Sequence, residues 1–157
     1  MFAEYEVTVL RSYAEGLLAL LEHRARSYSP VAVLEQQDAL LPVAVTTDPR
    51  LLAILRDQVG EEPGCVLALV ENECFGSVGD SLRSFLTTLP LAGGRVELAS
   101  RVDAQEWVRA VRIYITSIIT VTDHEGNSCG QMAKPTLDWL EDVVKCLVAV
   151  LDDLPAR

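Results

Sequence analysis

The stretch that decides the fold is GGRVELASRVDAQEWVRAVRIYITSIITVT, residues 93–122. Its second half is rich in β-branched residues, so local propensity alone favours a strand. Residues 100–103 resemble a capping box with aspartate in the usual glutamate position, and apolar residues then recur at helical spacing over more residues than a typical strand contains. These apolar residues are Ala104, Trp107, Val111, Tyr114, Ile118 and Val121. We therefore predict a helix, and its apolar circumference near residues 113–121 predicts that it is the central one.

A double glycine introduces this helix. Gly93-Gly94 predicts a sharp turn, and residues 94–98 predict a short extended segment. The preceding stretch, from about Pro63 to Leu89, keeps apolar spacings of three or four through Gly76 and Gly79. Each glycine costs about 0.5 to 1 kcal/mol against alanine inside a helix. We predict one long helix with a weak or bent middle, in which the glycines let a neighbour approach; a break there into two shorter helices is the alternative.

Spacing and capping residues predict further helices. Apolar positions between about Glu4 and Arg26 recur at helical spacing and indicate the first helix. Asp48-Pro49 is a helix start signal, and Gly60 stands where a left-handed residue ends a helix. Ser29-Pro30 predicts a short helix between these two, although the valines that follow fit an extended chain equally well.

The last helix is predicted to follow a polar loop at residues 123–130, with Pro135 in its first turn. Its apolar residues alternate at spacings of three and four: Leu137, Leu140, Val144, Leu147, Leu151 and Leu154. This seam is too short for a free-standing coiled coil, so we expect it to pack inside the domain, with a helix-mediated dimer as the alternative. Trp107 and Trp139 each begin a periodic apolar helix, and both are expected to be buried.

These patterns predict an all-α fold. We expect residues 1–157 to form a single domain, a bundle of about five to six helices with the short extended segment near residues 94–98. The chain carries 13 basic and 23 acidic residues, and its net charge of −10 disfavours contact with nucleic acid or anionic membranes. No apolar segment approaches the roughly 18 to 20 residues of a membrane helix, and the N-terminus has no secretion signal, so a cytoplasmic location is expected.

Catalytic and metal-binding patterns are weak. Cys65, Cys74, Cys129 and Cys146 have no short spacing typical of a metal site, so we expect free thiols, no disulfide and no metal. His124 and Cys129 share a loop that suggests a metal site, but structural zinc needs four ligands and the other cysteines lie far off in sequence, so a solvated loop is favoured. The histidines have no nucleophile to pair with, and the glycines at 76 and 79 lack the lysine of a phosphate-binding loop. We expect no catalytic residues, no cofactor and no enzyme.

One polar pattern stands out on the central helix. Arg101, Gln105, Arg109 and Arg112 lie on one face at helical spacing. The three arginines predict a contact site for an acidic peptide or a carboxylate partner. The alternative, which we favour for at least one of them, is internal pairing with the acidic faces of the first or last helix. A transcription regulator would need a basic recognition helix, for which this stripe is the only candidate.

The order of the motifs resembles an actinobacterial domain-of-unknown-function family, numbered twenty-seventeen. The matching elements are Leu17–Leu21, Leu40-Leu41-Pro42 with Asp48-Pro49, Gly93–Leu98, Ala104–Ala110, and Trp139-Leu140 with Leu147-Val148. The resemblance covers most of the chain and implies an all-helical fold. It also implies a gene neighbourhood near a Clp-protease adaptor, and hence a role as an accessory of proteolysis.

The chain also departs from that family. Val43-Ala44-Val45 replaces Asp-Ala-Tyr, Ile54-Leu55 precedes an arginine where the family has Glu-Phe, and Arg112-Ile113 with Ile115 replaces an Asn-Asp pair and an arginine. If those family residues form a buried polar network, this chain has exchanged most of it for aliphatic packing. We expect a non-enzymatic protein that acts through protein–protein contacts, as a homodimer or a proteolysis accessory. A small-molecule enzyme or sensor with a pocket between helices is the alternative.

Overall fold

The computed structural model describes residues 1–26, 44–125 and 127–153, with the side chains of 123–125, 127–133 and 153 excepted. Its five helices are α1 (Glu4–Arg26), α2 (Pro49–Val59), α3 (Gly64–Thr88), α4 (Arg101–Glu125) and α5 (Asn127–Asp153). Within these ranges the one β-type pairing is an isolated bridge between Phe2 and Gly94. The all-α prediction is confirmed. The short helix predicted after Ser29-Pro30 lies outside the described residues.

Helix α4 is the centre of the bundle, and it contacts each of the other four helices. Its start is capped as predicted, because the Asp103 amide donates to Ser100 Oγ at 3.1 Å. Val111, Ile113 and Tyr114 are all buried although they point to different sides of the helix. A helix surrounded by neighbours buries β-branched residues on every side, and this burial outweighs their local preference for a strand.

Helices α2 and α3 confirm the capping and continuity predictions. Asp48 accepts hydrogen bonds from the amides of Arg50 and Leu51, and Gly60 ends α2 with a φ of 101°. Helix α3 runs unbroken through its glycines, so the alternative of two shorter helices is wrong. A Cβ at Gly79 would lie 3.8 Å from Leu18 Cδ2 of α1, so α1 comes within contact distance of this glycine.

The predicted start of the last helix is wrong. Helix α4 continues to Glu125 and α5 begins at Asn127, so residues 123–125 and 127–130 are helical rather than loop, and Pro135 lies inside α5. A proline inside a helix removes one backbone donor and crowds the carbonyl four residues earlier. Residues 131–134, Gln-Met-Ala-Lys, have high helix propensity and favour continuation of the helix. Gly126 lies outside the described residues.

The apolar seam of α5 packs inside the bundle as expected. Leu140 and Leu147 are buried, and Val144 and Leu151 pack against the core. Leu154 lies outside the described residues, and the helix-mediated dimer stays a prediction. Within the described ranges, no helix combines the length and the apolar character that crossing a bilayer requires.

Candidate functional site

The N-terminal residues are held against the double-glycine turn. The amide of Phe2 donates to Gly94 O at 2.8 Å, and the amide of Gly94 donates to Phe2 O at 2.9 Å. Gly93 has a φ of 84°, and a Cβ there would lie 2.9 Å from the backbone nitrogen of Glu4. A side chain at Gly93 would therefore collide with the backbone, so the turn requires glycine for both conformation and space. Residues 95–99, beyond the turn, have no regular secondary structure.

This attachment brings Phe2 into an aromatic cluster. Its ring centroid lies 5.8 Å from that of Trp107 and 6.3 Å from that of Trp139. Trp107 is 1% exposed, its indole Nε1 donates to Thr88 Oγ1 at 2.6 Å, and Phe85 packs against it at 4.5 Å. Trp139 is only half-buried and packs against the core. The expected burial is therefore complete for Trp107 and partial for Trp139.

The half-buried tryptophan borders an open groove of about 480 Å³, which we call the tryptophan groove. It lies between the N-terminal residues, the segment 95–98, α4 and α5. Its apolar lining includes Phe2, Val96, Leu98, Trp139, Val143 and Val150. Its charged lining residues are Glu6, Arg95 and Asp142, and Cys146 lines it as well.

The structure does not bring the predicted arginines together at one site. Arg109 is drawn into the interface of α2, α3 and α4, where its Nε donates to Gln58 Oε1 at 3.1 Å. Its Nη1 donates to Ser77 Oγ at 2.8 Å and to Ser81 Oγ at 3.1 Å. These partners are neutral groups, not the acidic faces of the first or last helix. Arg112 is exposed and forms no ion pair with the described residues, while Arg101 is exposed but engaged in an interaction.

Arg109 lies between two shallow depressions. One, of about 270 Å³, is lined by residues that include Gln58, Glu73 and Cys74, and the other, of about 280 Å³, is lined by Ser77, Asp80, Ser81, Ser84, Glu106 and Arg109. Burial raises the pKa of the Cys74 thiol, against the opposing effect of the Arg109 charge. Glu106 Oε2 is buried and accepts no hydrogen bond from the residues that the structure describes. We call the depression that contains Glu106 and Arg109 the Arg109 notch.

Sequence reasoning missed a buried carboxylate. Glu71 is fully buried in α3, where Arg24 Nε donates to its Oε1 at 2.7 Å. Its Oε2 accepts from Arg24 Nη2 at 3.2 Å and from the Thr46 amide at 3.1 Å. The signal was a single carboxylate four residues after Leu67 and four before Phe75, on the apolar face of the helix. The chain therefore contains a buried polar network at Glu71, whereas Ile54, Leu55 and Ile113 are buried aliphatics as the resemblance implied.

The cysteines are dispersed in the structure. Cys65 and Cys146 are exposed free thiols, and Cys74 is a partly buried one. The side chains of His124 and Cys129 lie outside the described residues. Among the side chains that the structure describes, no cluster of three or more histidine, cysteine, aspartate or glutamate residues is arranged to hold a metal ion.

The comparison with known families matches the chain from its N-terminal residues to the end of α5. The model of the family described as Domain of unknown function (DUF2017) matches residues 1–154. The chain belongs to this family. Comparison with curated proteins and with solved structures finds no match. The matched range contains the double-glycine turn, the tryptophan helix and the closing Trp139 helix, which are the elements that carried the resemblance.

Proposed function

We propose that this DUF2017 protein is a non-enzymatic protein-binding module whose tryptophan groove receives apolar side chains of a protein partner. The observation that carries the proposal is the open, largely apolar groove of about 480 Å³ beside Trp139. Its floor is rigid, because Trp107 is fixed by the Thr88 hydrogen bond and by two aromatic neighbours. A preorganised aromatic surface binds without a large ordering cost, and exposed apolar grooves commonly mark protein contacts.

The proposal has two forms. In one, a second copy of the chain docks by its helix surface, and in the other the protein serves as an accessory of proteolysis. The actinobacterial origin and the cytoplasmic location belong to the same proposal, as does the absence of contact with nucleic acid. The net charge of −10 supports the last of these, since it repels phosphate backbones.

A small-molecule function is the second candidate. The groove volume of about 480 Å³ falls within the range of roughly 300–1,000 Å³ typical of ligand pockets. A sensor would bind an apolar compound against Trp139. Native mass spectrometry of the protein after incubation with a metabolite extract tests this candidate, and a retained compound that Val150→Asp releases would support it.

Two valines of α5 provide a matched pair of variants for the main proposal. Val150 lines the groove and is 43% exposed, whereas Val148 is 37% exposed and does not line it. Affinity enrichment from native lysate should capture a partner with the wild type and with Val148→Asp, and lose it with Val150→Asp. Equal capture by both variants would contradict binding in the groove. Sedimentation velocity of the three proteins tests the homodimer in the same way.

Cysteine alkylation locates the partner directly. Cys146 lines the groove, whereas Cys65 is exposed at the start of α3 and does not. In a Cys129→Ser background, the captured partner should slow alkylation of Cys146 and leave the rate at Cys65 unchanged. Protection of both thiols, or of neither, would place the contact elsewhere.

A further inference from the structure

Arg109 and Glu106 both line the Arg109 notch, and each has a polar atom without a hydrogen-bond partner among the described residues. Arg109 forms no ion pair with the described residues, and its Nη2 makes no hydrogen bond with them. Glu106, one helical turn away, lines the same depression, and its buried Oε2 has no donor among the described residues. We propose that the Arg109 notch binds a small zwitterion of the α-amino acid class, with the ligand carboxylate on Arg109 and its ammonium group on Glu106.

The guanidinium is already oriented for such a contact. Gln58 of α2 accepts from its Nε, while Ser77 and Ser81 of α3 accept from its Nη1. A guanidinium has five N–H donors in a planar fork, so these contacts leave donors at Nη2 available. An arginine fixed in this way is preorganised to bind a carboxylate, because little side-chain freedom is lost on binding.

Glu106 supplies the other half of the recognition. A buried carboxylate oxygen without a donor is unfavourable, and a ligand N–H group would satisfy it. An ammonium group offers three donors and a positive charge, and the contact with a carboxylate is charge-assisted. Glu106 and Arg109 form no ion pair with one another, so neither neutralises the other in place of a ligand.

Size and charge narrow the ligand class. The notch volume of about 280 Å³ lies below the range of roughly 300–1,000 Å³ for drug-sized ligands, which favours a molecule with few heavy atoms. Asp80 also lines the notch but is paired with Arg83 at 3.0 Å, so Glu106 is the carboxylate that disfavours a multiply charged anion such as phosphate. A single carboxylate accompanied by an ammonium group matches both charges of the site.

This proposal is independent of the tryptophan groove, because neither Arg109 nor Glu106 lines that groove. Isothermal titration of the purified chain with each of the common free amino acids tests it. We expect saturable binding of one amino acid or a small group of them, and much weaker binding of acetate, methylammonium or inorganic phosphate. Absence of binding by every amino acid, or equal binding of acetate or phosphate, would overturn the proposal.

Three variants assign the binding to the notch. Arg109→Gln and Glu106→Gln should each weaken the affinity about tenfold or more, because each removes one charge-assisted contact. Arg112→Gln is the control, since Arg112 is exposed on the same helix and does not line the notch, and it should bind like the wild type. Circular dichroism checks that each variant is folded, and Glu106→Gln leaves the contacts of Arg109 in place. Unchanged affinity in Glu106→Gln would rule out the ammonium contact.

Discussion

Glu71 and Glu106 each lie near an arginine, but they differ in the hydrogen bonds that they accept. Glu71 is fully buried and accepts hydrogen bonds from Arg24 and from the Thr46 amide. Glu106 is partly buried, and its Oε2 accepts no hydrogen bond within the described part of the chain, while the nearby Arg109 contacts serine and glutamine side chains instead. The first carboxylate has all its charge compensated within the fold, and the second does not.

The two carboxylates differ in the parts of the chain that surround them. Arg24 and Thr46 reach Glu71 from α1 and from the segment before α2, so the carboxylate joins three parts of the chain. Glu106 and Arg109 belong to one helix, and the neighbouring helices draw Arg109 away from an ion pair with Glu106. We therefore assign Glu71 a role in stability and Glu106 a role in the proposed ligand site.

The largest expected change in the free energy of unfolding is at Glu71. Replacement by glutamine removes the buried negative charge that accepts hydrogen bonds from Arg24, and breaking a buried ion pair in this way costs about 3 to 5 kcal/mol. Because the Arg24 side chain is 22% exposed, we expect a loss of about 3 kcal/mol in the free energy of unfolding, measured in urea. Glu73→Gln, at an exposed position of the same helix, should change it by less than about 0.5 kcal/mol. Similar losses in both variants would remove the distinction between the two carboxylates.

The second expected change in stability concerns Arg109 and Arg112 of α4. Arg109→Gln removes hydrogen bonds to α2 and α3, each with a net contribution of about 0.5 to 1.5 kcal/mol, and the site is partly exposed. We expect the free energy of unfolding of this variant to fall by about 1.5 kcal/mol. Arg112→Gln should lie within about 0.5 kcal/mol of the wild type. A greater loss at Arg112 would show that Arg109 is not the internally anchored residue.

A third carboxylate, Asp48, stands between the two extremes. It is partly exposed and caps α2 by accepting from the amides of Arg50 and Leu51. Asp48→Ala should lower the stability at neutral pH by about 1 kcal/mol, whereas Asp48→Asn, which keeps a capping oxygen, should lose much less. Thermal unfolding of the three proteins gives the comparison, and equal losses would mean that capping is not the cause.

The stability contributed by Asp48 should also depend on pH. Burial acts to raise the pKa of this carboxyl, but hydrogen bonds from the Arg50 side chain and from the Leu51 and Arg50 amides outweigh it and lower the pKa. The contribution is therefore complete above the pKa of the unfolded chain and is lost as the pH falls through the lower pKa of the folded state. The difference between wild type and Asp48→Asn should shrink in acid. A difference that grows on acidification would contradict this sign.

The smallest expected effect is at Glu106. Glu106→Gln replaces an uncompensated carboxylate by a neutral amide, which is easier to bury, so the free energy of unfolding should stay within about 0.5 kcal/mol of the wild type or rise slightly. Chemical unfolding with Glu97→Gln, an exposed position outside the notch, as the reference measures this. A loss as large as that at Glu71 would mean that Glu106 has partners within the fold.

Local sequence patterns predicted the bounds of most helices, but they did not predict the junction between α4 and α5. The start of α2 follows from Asp48-Pro49 and its end from Gly60, because capping depends on neighbouring backbone groups. The frequent occurrence of proline in first turns predicts a start of α5 near Pro135, but the helix begins at Asn127. The helix propensity of residues 131–134 favours continuation through Pro135, and a rule about the position of proline alone does not include it.

The sequence by itself determined the helical periodicity and the caps, because these depend on residues within a few positions of one another, and the order of its motifs determined the family. Tertiary structure alone decided the partners of the polar side chains that do not cap a helix. Arg24 and Glu71 are 47 positions apart, and Arg109 finds Gln58 and Ser77 on other helices, so no spacing rule along the chain pairs them. The tryptophan groove likewise forms only where Phe2 meets the turn at Gly94. Such contacts follow from how helices pack in space, and they place both proposed sites.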